Sequence, residues 1–231
     1  MSWALILTDD PKPRLGLALR PPPRWSPRIS KYEDLGFSSP SAASFVSVLE
    51  ARCSERVLGP LSHEQLGTLL WQAARVRAIS GFREHRASPS GGGLHPIHIV
   101  VFEAPFISAV LYDPLHHRLG HIAEVDAAGL SMRCASLSLV LPDARGSFIL
   151  AVAEFGRTAA LYENADSVVW RDAGCLLSTL HLTATWLGLG SCLMGLVGAD
   201  FAPVFAPAGQ VQPVGMIAVG TVGKGTSLYS R

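Results

Sequence analysis

The stretch from Ala173 to Gly190 constrains the fold of this chain more than any other part of the sequence. It is the longest apolar segment, but Ser178, His181 and Thr185 interrupt it together with further hydroxyl side chains. A lipid-facing span needs about 20 consecutive apolar residues, which this stretch does not offer. We therefore predict a long buried helix over Asp166 to Leu189, packed inside a water-soluble protein.

Length and charge limit the classes of function. The chain has 231 residues, of which 48% are apolar, and this suits one large globular domain. Its formal net charge is +1 and only 16% of its residues are charged, so it lacks the field that attracts nucleic acid or an anionic membrane. The four cysteines are scattered, which indicates reduced thiols, and Trp3 to Leu7 is too short for an export signal. We predict a cytoplasmic protein that binds neither nucleic acid nor membrane.

Residues 1–40 are predicted to form a proline-rich N-terminal arm, followed by one domain over residues 41–231. From Pro11 to Pro40 the chain carries seven of its sixteen prolines. Proline fixes φ and removes a backbone donor, so this segment should be extended. Two interpretations stay open. The arm is either a solvated linker or a strap around a second subunit, which would cover apolar side chains such as Leu15 and Trp25.

Beyond the arm, helical and strand patterns alternate without a regular βαβ rhythm. This favours a mixed sheet flanked by helices over a doubly wound parallel sheet. A loop rich in glycine is predicted over Arg83 to Pro96. The predicted helices run from Ser41 to the basic cluster at Arg52, from a capping box at Ser62 and Gln65 through Ala74, from Leu130 to Leu141, and from Asp166 to Leu189. The predicted strands are Ile97 to Glu103, Val110 to Asp113, Leu119 to Ile122, Ser147 to Phe155 and Val214 to Val222.

Several familiar motifs fail on spacing. The glycines from Gly188 to Gly195 follow a helix rather than a strand, unlike a dinucleotide fingerprint, and Gly220 to Thr226 lacks Walker spacing. No serine lies in a G-x-S-x-G elbow. His116, His117 and His121 have no carboxylates or cysteines at metal-ligand spacing, so we predict a solvated turn and no metal site.

Two segments carry groups suited to a phosphorylated, flat ligand. In the block from Arg52 to Arg56, two guanidinium groups and the Ser54 hydroxyl alternate, and they can converge on one phosphate if the backbone leaves the helix extended. A charged helix end is the alternative, since arginine suits the C-terminal dipole. The loop from Pro89 to Gly93 removes side chains where backbone could approach a ligand, and Arg86 adds a donor. An ordinary flexible loop is the alternative there.

Three blocks in this order and separation resemble the nitroreductase superfamily: Phe45 to Arg56, Arg86 to Pro96, and Arg171 to Leu196. Within that superfamily, Arg86-x-x-Pro89-Ser90-x-Gly92 followed by Leu187 to Gly190 is most similar to the SagB-type dehydrogenases, which form thiazoles and oxazoles in modified peptides. The resemblance covers about residues 41–223. It implies an α+β fold with a central mixed, mostly antiparallel sheet flanked by helices, and an intertwined homodimer with FMN at the subunit interface.

The resemblance also implies roles for individual residues. The phosphate and ribityl chain of FMN are assigned to Arg52, Ser54 and Arg56, and the loop along the isoalloxazine to Arg86, Pro89, Ser90, Gly91 and Gly92. Leu193, Met194 and Gly195 match the segment on the other face of the flavin, and Lys224 matches a late basic phosphate contact.

The implied activity is FMN-dependent oxidation of an azoline to an azole in a modified peptide, with Tyr162 in proton transfer and a precursor peptide or biosynthetic protein as partner. Leu161-Tyr162 stands where the azole-forming branch has lysine and tyrosine, and this departure leaves azoline oxidation open. Two alternatives therefore remain. One is an NAD(P)H-dependent nitro or quinone reductase, and the other is a scaffold that kept the fold without the chemistry.

Overall fold

A computed structural model describes residues 9–16, 19–39, 43–103 and 105–222 of the chain. Its helices are α1 (Phe45–Ala51), α2 (His63–Ala74), α3 (Ala127–Val140), α4 (Phe155–Ala159) and α5 (Asp166–Trp186). Its strands are β1 (Lys12–Pro13), β2 (Ile29–Asp34), β3 (Leu58–Gly59), β4 (Ala78–Ser80), β5 (Arg83–His85), β6 (Ile97–Phe102), β7 (Val110–Asp113), β8 (Arg118–Ile122), β9 (Ser147–Ala153), β10 (Tyr162–Glu163), β11 (Leu189–Met194) and β12 (Gln212–Val222).

One large sheet organises the described chain, in the order β11-β12-β9-β6-β7-β8-β2, with β3 paired to the far end of β12. Its described ladders are antiparallel, and an isolated parallel bridge joins Leu58 to Ala144. The central strand β9 is buried along its whole length, as expected for a strand covered on both faces. The predicted α+β fold, with a mostly antiparallel sheet and flanking helices, is confirmed.

Helices cover both faces of this sheet. On one face α2 and α5 pack against alternate residues of β6, β9 and β12, and on the other face α3 packs with a short 3-10 turn at Ala202–Val204. Helix α2 begins as predicted, because the Ser62 side chain accepts from the Gln65 amide and the Gln65 side chain accepts from the Ser62 amide. Helix α5 packs against the sheet beside β11, which is one of its edge strands. Polar residues of α5 therefore lie close to that edge.

The N-terminal arm packs against its own domain. Strand β2 pairs with β8 and forms an edge of the large sheet, and β1 pairs with β10. Between them, the Trp25 ring packs against His98 and Phe205. A solvated linker is therefore the wrong interpretation for Trp25 and for β2, a strand that the sequence patterns did not predict.

Strand β11, in the glycine-rich stretch after α5, is an element that the sequence patterns did not predict. Two other local predictions need correction. The predicted loop from Arg83 begins instead with β5, which pairs with β4 in a small hairpin. The histidine turn is only partly solvated, because His117 is buried and its Nδ1 lies 2.9 Å from the Tyr112 hydroxyl. The His117 ring also packs against Phe37 and Trp71, which spacing alone does not reveal.

Among the helices of the described residues, none is both long enough and apolar enough to cross a membrane. In the same part of the chain, no three His, Cys, Asp or Glu side chains are grouped so that they could hold a metal ion.

Candidate flavin site

Helix α5 carries two polar side chains on its buried stripe. Asp172 and His181 are 7% and 3% exposed, among apolar residues such as Val169, Leu176 and Leu180. They are nine residues apart, which corresponds to about 14 Å along the helix axis. Each one holds a different predicted segment of the site, so α5 acts as the common support for both.

His181 holds the first predicted segment through Arg52. The Arg52 Nη1 lies 3.1 Å from His181 Nε2, and His181 Nδ1 lies 2.6 Å from the Ser191 hydroxyl on β11. Because a guanidinium can only donate, Nε2 accepts and the proton of the neutral ring is on Nδ1, which donates to Ser191. Burial lowers the pKa of His181, and the neighbouring Arg52 lowers it further, so the ring stays neutral at pH 7.

The backbone of this segment leaves the helix as the phosphate hypothesis requires. Arg52 is the C-cap of α1 and has extended backbone angles, φ −60° and ψ 118°. The Glu55 amide then donates to the Ser191 carbonyl at 2.9 Å, and a Cβ on Gly190 would stand 2.9 Å from Glu55 Cγ. Glycine at residue 190 therefore leaves room for the Leu58 and Glu55 side chains where the chain crosses β11.

The donors of this segment remain available to a ligand. Arg52 and Arg56 are exposed, and Ser54 is half-buried between them. The arginine ion pairs in the described chain involve other guanidiniums, and the Glu55 carboxylate is taken up by the backbone amides of Arg56 and Val57. Two exposed guanidiniums and a hydroxyl on a fixed backbone fit a phosphate monoester such as that of FMN.

Asp172 holds the second predicted segment, the glycine loop. Its carboxylate accepts from the Ser90 hydroxyl at 2.6 Å and from the Gly91 amide at 3.0 Å. The Ser90 hydroxyl also accepts from the His95 amide at 2.9 Å. Burial raises the pKa of Asp172, and the hydrogen bonds from the loop oppose that rise. The hydroxyl of Ser90 is thus already satisfied within the chain.

The glycines of the loop make room for neighbouring side chains. A Cβ on Gly91 would overlap Val168 Cγ1, and one on Gly92 would stand 2.8 Å from the Tyr162 hydroxyl. Gly92 also has φ +64°, a region that other residues rarely adopt. The missing side chains are therefore explained by packing inside the chain, whereas the sequence argument invoked close approach to a ligand. The same packing brings Tyr162 against the loop, as a shared site requires.

The Arg86 side chain is buried at the start of the glycine loop. Its Nε and Nη2 donate to the same Glu84 oxygen at 2.8 and 2.5 Å, and Arg24 of the arm donates to the other oxygen at 2.6 Å. Burial would raise the pKa of Glu84, but the two guanidiniums outweigh it and lower the pKa overall. This geometry gives Arg86 an internal partner. A contact between Arg86 and a cofactor stays a prediction.

The remaining predicted contacts lie at the end of β11. Leu193 and Gly195 are exposed and Met194 is half-buried, while nothing lies within 4 Å of a Cβ placed on Gly195. The segment is therefore open to a ligand or a second chain. Pro89 is exposed at the tip of the glycine loop. Lys224 lies outside the described residues.

Asp172 and His181 hold the two segments at separate positions, about 14 Å apart along the axis of α5. Sequence reasoning missed Asp172, His181 and Ser191. The available signal was an acid and a histidine on the same stripe as Val168, Val169, Leu176 and Ala184, where apolar residues are expected.

Comparisons with known proteins assign the chain to a family. The model of the nitroreductase family matches residues 58–221, a span that begins just after Arg56 and includes the glycine loop, α5 and β11. No curated protein matches the chain.

Similar solved structures come from several bacteria. A structure from Ralstonia eutropha, described as that of a nitroreductase, is 21% identical with a TM-score of 0.62, covering 94% of this chain and 100% of its own. One from Anabaena variabilis, described likewise, is 23% identical with a TM-score of 0.64, covering 89% of this chain and 42% of that longer one. The E. coli microcin synthetase McbBCD complex with truncated pro-MccB17 bound is 20% identical with a TM-score of 0.56, covering 82% and 76%. At these identities the structures establish the fold, and the family match establishes that the chain belongs to the nitroreductase family.

Proposed function

We propose that this protein binds FMN and is an FMN-dependent oxidoreductase of the SagB type, acting on a modified peptide or a related small substrate. Membership of the nitroreductase family supports oxidoreductase activity in general. The observation that carries the FMN proposal is the exposed pair Arg52 and Arg56, with Ser54 between them, free of carboxylates in the described chain and fixed on β11. Charge-assisted hydrogen bonds from such a pair bind phosphate strongly.

In this proposal each segment has one task. Arg52, Ser54 and Arg56 hold the phosphate, while the glycine loop and the end of β11 enclose the ring system. When bound, FMN supplies the hydride chemistry, and the protein supplies orientation and proton transfer. In the oxidation of an azoline, bound FMN would supply the hydride acceptor, and a base of the protein would take the proton. Tyr162 is the candidate for that proton, because its hydroxyl lies against Gly92 in the loop.

One observation favours a peptide substrate: the microcin synthetase complex of similar fold was solved with truncated pro-MccB17 bound. The arm also reaches the proposed proton-transfer residue, because the carbonyl of Leu161, the position before Tyr162, accepts from the Arg14 amide at 2.8 Å. The second candidate, an NAD(P)H-dependent nitro or quinone reductase, is favoured by the nitroreductase descriptions of most similar structures. The absence of a lysine before Tyr162 motivates the third, a scaffold without flavin chemistry.

We also propose a cytoplasmic homodimer. Helix α1, which leads directly into the phosphate segment, exposes Phe45, Val46 and Leu49 to 67, 62 and 47%. Apolar side chains grouped on one exposed helix indicate a protein contact. Light scattering should give twice the chain mass of 24.6 kDa, and Val46→Glu should shift the mass toward that of a monomer. A monomeric wild-type protein would contradict the shared-cofactor arrangement.

The first test is the visible absorption spectrum of the purified protein, followed by heat release and mass determination of the chromophore. We expect FMN at one equivalent per chain. A protein that holds no flavin after incubation with excess FMN would leave the scaffold as the remaining candidate.

The second test separates the two enzymes under anaerobic conditions. Bleaching of bound flavin by NADH or NADPH, followed by reoxidation with a nitro compound or quinone, would favour the reductase. Flavin reduction by an azoline peptide, slowed at least ten-fold in Tyr162→Phe, would favour the dehydrogenase, since a positioned proton-transfer group contributes about 100-fold or more to rate. Full turnover in Tyr162→Phe would remove Tyr162 from the mechanism.

A further inference from the structure

A buried pair of side chains stands behind the phosphate segment. His181 and Ser191 are 3% and 2% exposed, and they join α5 to β11 through the 2.6 Å contact between His181 Nδ1 and Ser191 Oγ. The free face of the imidazole, Nε2, receives one N–H of Arg52 at 3.1 Å. The Arg52 guanidinium is therefore fixed by the His181 ring, which belongs to α5 and is itself fixed by Ser191 of β11.

The order of these contacts matters for binding. A free arginine side chain loses about 2 kcal/mol of rotamer freedom when a ligand fixes it. Here the imidazole fixes Arg52 in advance and uses one of its five N–H donors, so the others remain for an anion. Ser191 contributes twice, because its carbonyl also accepts from the Glu55 amide and so fixes the backbone between Ser54 and Arg56.

We propose that His181 is a positioning residue, which together with Ser191 presents Arg52 to the phosphate of the bound cofactor. This inference rests on the proposed FMN function and adds to it a residue that the sequence comparison with the family did not supply. His181 is buried, and its two ring nitrogens are occupied by Arg52 and Ser191, so it acts through Arg52. Its contribution is accordingly specific for the phosphate group of the ligand.

Riboflavin provides the discriminating probe, because it has the ring and ribityl chain of FMN but no phosphate. We expect His181→Leu and Ser191→Ala to weaken FMN binding about ten-fold, the size expected when one hydrogen bond to a charged group is lost. Riboflavin affinity should stay within about two-fold of wild type. Flavin fluorescence titration measures both constants on the full-length protein.

Two further variants test the route through Arg52. His181→Gln keeps an acceptor for the guanidinium and should retain more FMN affinity than His181→Leu. In an Arg52→Gln background, His181→Leu should cause no additional loss, because the two changes remove the same interaction. His117→Phe is the matched control, since it removes another buried histidine, at the turn between β7 and β8, and should leave FMN affinity unchanged.

Three results would each contradict the positioning role of His181. Equal weakening of FMN and riboflavin, additive losses for Arg52→Gln and His181→Leu, or unchanged FMN affinity in both His181→Leu and Ser191→Ala would overturn the positioning role while leaving the FMN proposal intact. If His181→Leu does not fold, His181→Gln and Ser191→Ala carry the same test. A wild-type protein that takes up no FMN would overturn the proposed function, and this inference with it.

Discussion

Near the C-terminal end of α5, His181 fixes the Arg52 side chain and leaves its other donors exposed, whereas nine residues earlier Asp172 uses up the Ser90 hydroxyl and the Gly91 amide. The first arrangement prepares donors for a ligand. The second arrangement shapes a loop whose own polar groups are already satisfied. We call the region of His181 and Arg52 the phosphate end and the region of Asp172 and the glycine loop the glycine-loop end. Substitutions at the phosphate end should weaken ligand binding, whereas substitutions at the glycine-loop end should lower the stability of the protein.

The largest expected effect is at the phosphate end. Replacing both Arg52 and Arg56 by glutamine should weaken FMN binding by at least about 100-fold, because two hydrogen bonds to a charged group are lost. The free energy of unfolding should change little, since both side chains are exposed and the amide of a glutamine at residue 52 can still donate to His181 Nε2. Fluorescence titration and urea unfolding test the two statements. Arg28→Gln, which removes an exposed arginine paired with Glu124, is the control and should retain affinity.

The glycine-loop end should show the opposite pattern. Asp172→Ala leaves the Ser90 hydroxyl and the Gly91 amide without their acceptor, which should cost about 2–5 kcal/mol in urea unfolding. Asp172→Asn keeps an acceptor and should cost less. Binding of FMN and of riboflavin should weaken to the same extent, because in the proposed arrangement the loop encloses the ring system that both ligands share. A loss confined to FMN would show that the division between the two ends is wrong.

At the glycine-loop end, low pH should lower the stability of the folded protein through His95. Burial lowers the pKa of His95 to about 4, so the folded protein keeps this ring neutral where the unfolded chain protonates near pH 6.5. Protons then bind preferentially to the unfolded chain, and stability is lost as the pH falls from about 6.5 toward 4. The share of His95 in this loss is about 2 kcal/mol between pH 7 and pH 5.

The variant His95→Asn isolates that share. His95 has φ +43°, which asparagine tolerates better than most residues, so the fold should be kept. Urea unfolding at pH 7 and pH 5 should show a smaller acid loss in the variant by about 2 kcal/mol. An equal acid loss in both proteins would mean that His95 is not held neutral.

The smallest effect compares two glycines. Gly91→Ala should destabilise by about 1–3 kcal/mol, because its Cβ would overlap Val168 and the core resists overpacking. Gly195→Ala should leave the melting temperature within about 2 °C of wild type, since nothing lies within 4 Å of its Cβ. Calorimetry measures both. A large loss at Gly195 would mean that a second chain already fills the space beside β11.

Local signals predicted most of the fold. Helix α2 was foreseen because its capping box and its apolar stripe lie within a dozen residues, and β6 because its sequence alternates and is rich in branched residues. Strand β2 was missed because its sequence is mostly polar and exposed, and its partner β8 comes about ninety residues later. Strand β11 was missed because Gly190 interrupts its pattern, and because its partner residues in β12 lie 22 to 32 residues further along the chain.

Site residues could be predicted from the sequence only where the residue type and spacing by themselves indicate a binding role. Arg52, Ser54 and Arg56 stand out as exposed donors in an alternating pattern, and the structure places them on one extended segment. Asp172 and His181 could not be separated from other polar residues of α5 without knowing which face of the helix is buried. Arg86 looked like a free donor because its partner Glu84 lies only two residues away, and sequence does not show that the two side chains meet.

The arm has a consequence for the order in which the chain acquires its structure. Its residues are synthesised before the partners that they need. Strand β2 pairs with residues 118–122, Arg24 bonds to Glu84 of β5, Trp25 bonds to Glu154 after β9, and β1 pairs with residues 162–163. Contacts between residues so distant in sequence form late, because closing long loops is slow. The arm should therefore pair progressively from Asp34 back toward Lys12. During synthesis, the strand beside Tyr162 would leave the ribosome well before its partner and would be among the last elements to settle.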